Sequence, residues 1–394
     1  MGRLVIGLSA MRECSFFTTA VMGLEEVAAR EVEVILGPGV RAEPELGRGR
    51  VFFKAPFEAI YELNLRARTL HKLFFLLYRG RFEGLEDIYR AARGLDYTSV
   101  IEPEQSFAVR AERVGQHDFT SMDVAARVGQ AIIDSYMASR GVRLKVNLDE
   151  PDVEIYAFVR DDEFLMGLNT TGPSLHKRGY RIYKHPAALR TSVAAAMLYL
   201  ADWRGDGALL DPMCGGGTIP IEGALMARCF PPGAFRGHAF AFLKLPIADV
   251  EEFDRRRERA LAEASREIFD ITGIDKFRAV LFGAEKNASS AGVADTVRFL
   301  LGDATRLEEF LEEPPTHVVV NPPYGVRMRP KGLRRLYRGF LSSLSNLSPG
   351  CRLVLITAAK KTFRSSAEAV GIKVLDEKPI RHGELWASIF VCQV

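Results

Sequence analysis

The run His317-Val318-Val319-Val320 reads as a buried strand, and it stops at once in Asn321-Pro322-Pro323-Tyr324. Two consecutive prolines fix φ and remove backbone donors, so neither helix nor strand continues past residue 321. The result is a rigid ledge at the edge of an α/β sheet. It leaves a side-chain amide, unpaired carbonyls and an aromatic ring facing whatever lies beyond the strand end. Those groups suit a planar heterocycle whose exocyclic amine donates hydrogen bonds, the arrangement that methyl transfer onto an amino nitrogen requires.

A second constellation lies upstream, in Leu209-Leu210-Asp211-Pro212-Met213-Cys214-Gly215-Gly216-Gly217-Thr218. A strand ends in Asp211, three consecutive glycines follow, and Thr218 opens a helix. Glycine lets the backbone approach a bound group closely and take φ > 0, while free N–H groups at a helix start favour a carboxylate. Contiguous glycines after Asp-Pro are not the G-x-G-x-x-G fingerprint, and no Gly-Lys-Ser/Thr marks a phosphate loop.

Two further acids follow strand-like stretches: Asp275 after Ile271–Ile274, and Asp303, with Ala304, after Phe299-Leu300-Leu301-Gly302. Open α/β sheets place ligands at the carboxyl ends of their strands. Asp275 there suits ribose hydroxyls and Asp303 an adenine amino group. Asp275 falls far beyond the roughly 20 residues that usually separate it from the first acid. The excess, Cys229–Ile268, carries Pro231-Pro232-Gly233, Phe240-Ala241-Phe242 and a charged helix over Val250–Glu267. It reads as an insertion over the mouth of the site, or as a surface excursion.

Arg327, Arg329, Lys331, Arg334, Arg335 and Arg338 follow the ledge with Tyr337 among them and no acid between. A run of this kind is either a solvated helix face or, beside a base-binding ledge, a phosphate contact surface. Lys177, Arg178, Arg181 and Lys184 extend it into a basic connector, where Tyr180 and Tyr183 either stack on bases or pack. The net charge of +3 is too small to establish a nucleic-acid partner, so clustering carries that inference.

The 394 residues, 47% apolar, suffice for two or three domains with their own cores. A small β-α-β unit is expected over residues 16–53, from Phe16–Thr19, the helix Leu24–Leu36 and Arg50–Lys54. A helix at Pro56–Leu65 and the apolar Thr69–Tyr78 come next. A second α+β unit follows, with strands at Ser106–Ala111, Val142–Asn147, Val153–Arg160 and Glu163–Asn169 and a helix over Ser121–Arg140. Thr171-Gly172-Pro173 breaks the chain. From an alanine-rich helix at Ala187–Ala201 onward, strands and helices alternate as in a doubly wound parallel sheet. Lys373–Leu375 and Ala387–Gln393 close it as an antiparallel hairpin. The expected division is 1–68, 69–172, a basic linker at 173–186, and 187–394.

Five scattered cysteines without a CxxC pair point to reduced thiols in a cytoplasmic protein rather than a disulfide framework. The seven histidines form no metal-ligand pattern, so no metal is expected. No targeting signal or membrane-length run is visible, so no membrane partner is expected either. The oligomeric state is left open.

Taken together, these motifs resemble the THUMP-domain RNA methyltransferases that make N2-methylguanosine. Asp211–Thr218 looks like that family's first S-adenosylmethionine motif, which more often reads Asp-Pro-Met-Cys-Gly-Ser-Gly-Thr; Gly216 here replaces the Ser. Asn321–Tyr324 matches its Asn-Pro-Pro-Tyr motif, and Asp275 and Asp303 fall where its ribose and adenine ligands belong. Leu175–Arg181, Pro186–Arg190 and the Pro-Pro-Gly…Phe-Ala-Phe insertion are similar to family features. Gly23-Leu24-Glu25 looks like its ferredoxin-like start. Phe107–Arg110, Arg113, Gly115-Gln116-His117 and the helix from Ser121 resemble a THUMP domain.

The resemblance implies an α+β N-terminal region (ferredoxin-like plus THUMP) that binds tRNA by its 3′ acceptor end, joined to a Rossmann-like methyltransferase domain. It implies S-adenosyl-L-methionine held by Asp211, Pro212, Met213, Cys214, Gly215, Gly216, Gly217, Thr218, Asp275, Asp303 and Ala304. Asn321, Pro322, Pro323 and Tyr324 become the catalytic group, and Lys177, Arg178, Arg181, Arg327, Arg329, Lys331, Arg334 and Arg335 the RNA contacts. The substrate is then a guanine N2 in a tRNA acceptor stem, or alternatively in 23S rRNA. N6-adenine methylation shares Asn-Pro-Pro-Tyr but has no need of the N-terminal half. A non-catalytic RNA-binding protein has no need of the glycine loop and its acids.

Overall fold

The computed structural model describes residues 4–5, 13–324, 330–383 and 385–394. The N-terminal half runs β1 (Leu4–Val5), β2 (Cys14–Thr19), α1 (Glu25–Leu36), β3 (Ala42–Glu45), β4 (Arg50–Ala55), α2 (Ala59–Arg66) and β5 (Lys72–Arg81). It continues with α3 (Leu85–Arg93), β6 (Leu95–Asp96), β7 (Ser106–Val114), α4 (Ser121–Arg140), β8 (Lys145–Val146), β9 (Val153–Arg160) and β10 (Glu163–Asn169). Alternation along β2 explains its place: Phe16 points into the helix-covered core, while Phe17 joins Phe52, Phe74 and Phe158 on the opposite face. Arg79 and Arg50 roof that second face, 4.2 Å over Phe52 and 4.4 Å over Phe158.

The two α+β units expected from the sequence share one eight-stranded sheet, ordered β3-β4-β2-β5-β10-β9-β7-β8. β5 joins them, bonding to β2 on one side and β10 on the other. The first unit differs from a simple β-α-β: β2 and β4 pair antiparallel, and β3 adds an outer strand. α4 matches its expected span because Thr120 and Asp123 form a capping box and Gly141, at φ 69°, ends it. The strand expected at Val142–Asn147 shrinks to β8, which pairs only with Ser106 and Phe107 at the sheet's edge.

The C-terminal half comprises α5 (Thr191–Leu200), β11 (Leu209–Asp211), α6 (Thr218–Ala227), α7 (Val250–Ala262), β12 (Ile271–Asp275), α8 (Arg278–Ser290), β13 (Val297–Leu301) and β14 (His317–Val320). Then come α9 (Pro330–Leu347), β15 (Arg352–Thr357), α10 (Lys360–Val370), β16 (Lys373–His382) and β17 (Leu385–Gln393). α5 begins four residues later than expected, because 185–188 form a turn after which Arg190 is still extended. The sheet order is β13-β12-β11-β14-β15-β17-β16. β11 to β15 are parallel, and β17 runs antiparallel to both β15 and β16. The chain winds outward from β11 through β13, then returns to β14 on β11's other side. That reversal creates a crevice between the ends of β11 and β14, where open α/β sheets bind ligands.

The insertion expected over the mouth of the site lies elsewhere. Phe240, Phe242 and Phe253 enter the core of the N-terminal half, with Phe242 edge-on to Tyr61 at 5.3 Å. Tyr61 Oη accepts from Asp249 N at 2.8 Å, and Phe242 N donates to Thr170 O at 2.9 Å. Ion pairs Arg256–Glu62 (2.9 Å) and Arg66–Glu263 (2.7 Å) flank this contact. Each buried aromatic ring contributes about 1.5–3 kcal/mol, so three rings make the segment a clasp between the halves. Buried Arg68 reinforces it, donating to the carbonyls of Leu225 (3.0 Å) and Phe230 (2.8 Å) at the end of α6.

Candidate active site

Asp211 ends β11, Asp275 ends β12, and Asn321 follows β14, so all three stand at one edge of the sheet. The register sets Asp211 beside Gly273 and Leu210 beside Val318, which brings the glycine loop and the proline ledge to adjacent strand ends. Asp303 leaves the end of β13 on the outer side.

The loop is held by its neighbours. Cys214 N donates to Ile274 O (2.9 Å), and Gly215 N donates to Asp275 Oδ2 (3.1 Å). Gly217 N is taken by Cys214 O (2.9 Å). Two of the N–H groups expected to be free at this helix start are therefore already used. Gly215 and Gly217 have φ of 53° and 78°, which side-chain-bearing residues rarely adopt. A Cβ on Gly217 would lie 3.0 Å from the Phe299 ring.

Asp211 is fully buried, and its Oδ1 accepts from Met213 N at 3.2 Å. Burial, with Asp275 nearby, raises its pKa well above the usual carboxylate range. The same burial, with both acids close, pushes the Cys214 thiol up. Pro212 is buried and Met213 half-buried. Asp275 also accepts from Phe277 N through Oδ1 (3.0 Å), and Phe277 stands 57% exposed beside it. This aromatic is not among the expected site residues, although its place two residues after the acid is a usable signal. Exposed Asp303 accepts from Thr305 N and Oγ1, both at 2.9 Å. The Thr305 N–H bond chiefly holds its carboxyl below the usual value. Ala304 is buried at the start of the short turn that follows.

The ledge rests on residues not foreseen from sequence. Buried Tyr337 of α9 donates to Pro323 O (3.2 Å) and bonds Thr357 Oγ1 (2.8 Å) at the end of β15. Pro322 is buried, Pro323 is exposed, and Tyr324 is half-buried; burial raises the Tyr324 phenol pKa, so it stays neutral. The Oδ1 of Asn321 is buried and has no hydrogen-bond partner among the described residues. Native proteins pair nearly all such atoms, and one left alone calls for an explanation.

The basic connector divides. Lys177 is exposed, whereas Arg178, expected among the RNA contacts, is buried. It pairs with Glu222 of α6 at 3.4 Å and donates to the carbonyls of Arg68 and Leu175. A fully buried carboxylate demands a cation, so Arg178 braces the fold instead of meeting RNA. Tyr180 packs too, its hydroxyl on Glu222 at 2.9 Å. Arg181 is half-buried and donates to Leu189 O (2.8 Å). Asn287 of α8, also unforeseen, accepts from Tyr183 N (2.8 Å) and donates to Gly216 O (3.0 Å), tying connector to glycine loop. A Cβ at Gly216 would meet His185 Cβ at 3.3 Å. Lys331, Arg334, Arg335 and Arg338 are exposed on α9, while Arg327 and Arg329 lie outside the described residues.

Residues 178–388 match the model of the RMKL-like methyltransferase domain, 82–169 that of the THUMP domain, and 15–73 that of the RlmL ferredoxin-like domain. A tRNA (guanine(6)-N2)-methyltransferase of Methanocaldococcus jannaschii is 40% identical over 95% of this chain and 98% of its own. A protein of the same name from Archaeoglobus fulgidus is 44% identical over 96% and 92%. The solved structure of SMU.472 complexed with SAH superposes with a TM-score of 0.85 at 25% identity, over 97% of this chain and 98% of that one.

Proposed function

This chain belongs to the RMKL-like methyltransferases that carry a THUMP domain, and from that membership and the strand-end geometry we propose that it is an S-adenosylmethionine-dependent tRNA methyltransferase acting on the N2 of a guanine. Both relatives are named for guanine 6 of tRNA; taken as the sixth nucleotide from the 5′ end, that guanine lies in the acceptor stem, and we propose it as the target. The observation that carries the chemistry is the buried Asn321 Oδ1 beside the glycine loop, unpartnered among the described residues.

The residues present fit an adenosyl donor. Positive φ at Gly215 and Gly217 lets the loop approach a ligand, and the Phe277 face and Asp303 stand exposed for an adenine. Asp275 is assigned the ribose hydroxyls, Asp303 the adenine amino group, and the loop the amino-acid end. When bound, the donor supplies a sulfonium-activated methyl group.

On the other side of the crevice, Asn321 Oδ1 accepts one N–H of the guanine amine and a ledge carbonyl accepts the other. Pro323 O already receives the Tyr337 hydroxyl, which leaves Pro322 O for that role. Two acceptors draw the nitrogen from planar toward tetrahedral and free its lone pair, and the one N–H proton that the methyl group displaces is released to solvent. Tyr324 lies against the ring. Positioning and fixed dipoles provide the acceleration without a strong base. The N-terminal half, expected to divide near residues 68 and 172, docks the RNA so that a guanine leaves its stack and enters the crevice.

The test is transfer of a labelled methyl group onto tRNA, followed by nucleoside mass spectrometry. N2-methylguanosine that vanishes when guanine 6 is changed to adenine is the expected result. Label found as N6-methyladenosine, or in 23S rRNA and not tRNA, overturns the reading.

A further inference from the structure

The sheet edge that carries Asn321 extends outward as a basic shelf ending in an exposed aromatic. α9 and α10 both begin at this edge, where β14 and β15 end, and they cover the same face of the sheet as Phe390. Lys331, Arg334 and Arg335 on α9 and Lys361 on α10 are exposed, and none enters an ion pair among the described residues. Next outward is the β16–β17 hairpin. Trp386 alternates with Ser388 and Phe390 along β17 and so shares that face. It lies directly opposite Arg381, which is exposed.

The β15–β17 ladder ends with Thr357 opposite Ser388, so Trp386 projects past the sheet edge by about two residues, ~7 Å. It lies two strands, ~10 Å, to the side of β14. Trp386 is 56% exposed and belongs to none of the described hydrophobic clusters. Scattered exposed apolar residues mean little by themselves. This one has a cation across the strand, free cations along the rim, and the reactive edge beside it. Cations for phosphates with an aromatic face for a base are what a nucleic-acid strand recognises.

We propose that Trp386 is a stacking platform for a nucleobase of the RNA flanking the target guanine, with Arg381, Lys361 and the α9 cations on its phosphates. This rests on the RNA reading above and names a contact outside the reaction centre.

The chain's two tryptophans make the test direct, because Trp203 is fully buried and Trp386 is not. Adding tRNA should quench fluorescence and shield Trp386 from acrylamide, and Trp386→Phe should abolish both changes. Trp386→Ala should raise KM for tRNA about tenfold with kcat and S-adenosylmethionine affinity unchanged, and Trp386→Phe should largely restore it. Unaltered KM in the alanine variant, or Trp386 still open to acrylamide in the complex, overturns the proposal. So does shielding that appears with protein concentration alone, which would make the hairpin an interface between copies. Shielding by tRNA in a protein that transfers no methyl group upholds the platform and refutes the enzymatic reading instead.

Discussion

Replacing Asn321 by alanine should push activity and stability in different directions. Its Oδ1 is buried and unpaired among the described residues, and an unsatisfied buried polar atom costs about 1–3 kcal/mol. Removing it relieves that cost at the expense of a few van der Waals contacts, so the melting temperature should hold or rise. The transition state, by contrast, loses a preorganised acceptor. Deleting one such group lowers kcat about 10²–10³-fold, or ~3–4 kcal/mol. Single-turnover methyl transfer to tRNA under saturating donor measures the second effect, and thermal unfolding of the same preparation the first. Donor affinity by calorimetry should stay within about twofold, since the loop and its acids lie across the crevice. A variant with near-normal turnover would refute the assigned role. One that melts well below the parent would make Asn321 a structural residue whose missing partner has some other cause.

Asp275→Ala removes the acceptor for both Gly215 N and Phe277 N. Charged hydrogen bonds of this kind are worth about 1.5–3 kcal/mol each, so donor affinity should fall at least tenfold; unchanged calorimetric binding would show that the ribose contact is misassigned. Arg178→Met strands Glu222 and should cost about 3–5 kcal/mol of stability, with most of it regained in the Arg178→Met/Glu222→Gln double variant. A stable single variant with weakened RNA binding would restore Arg178 to the RNA surface. His71, enclosed against His176 and bonded to Ser192 (2.9 Å), has its pKa lowered by burial from 6.5 to about 3. Below pH 6.5 the unfolded chain takes up a proton that the folded chain refuses, so stability falls as pH drops. At pH 5 this one residue accounts for about 2 kcal/mol, and His71→Gln should flatten the decline between pH 7 and 5 in denaturant titrations. An unchanged slope would show that His71 protonates in the folded state.

What the sequence disclosed and what it hid follow from two kinds of constraint. Gly215, Gly217 and the Pro322-Pro323 pair are chosen by local backbone geometry, so their meaning survives without the rest of the chain. Asp211 and Asp275 are legible because each ends an apolar strand. Arg178 carries no such mark: in Lys177-Arg178 one cation is exposed and the other buried, and only Glu222 on a distant helix decides which. Phe240 and Phe242 announce burial but not which core receives them. Asn287 and Tyr337 act through partners far away in sequence, Tyr183 and Gly216 for one and Pro323 and Thr357 for the other. These illegible residues are also the ones that fix distances. Arg68 and Arg178 tie the N-terminal half to α6, the helix that leaves the glycine loop. Asn287 ties the connector to the loop itself. A guanine docked through the N-terminal half therefore meets the ledge at a separation set by buried hydrogen bonds rather than by the length of a loose linker. For an enzyme that must choose one guanine among many of identical chemistry, that separation carries the selectivity that the crevice alone lacks.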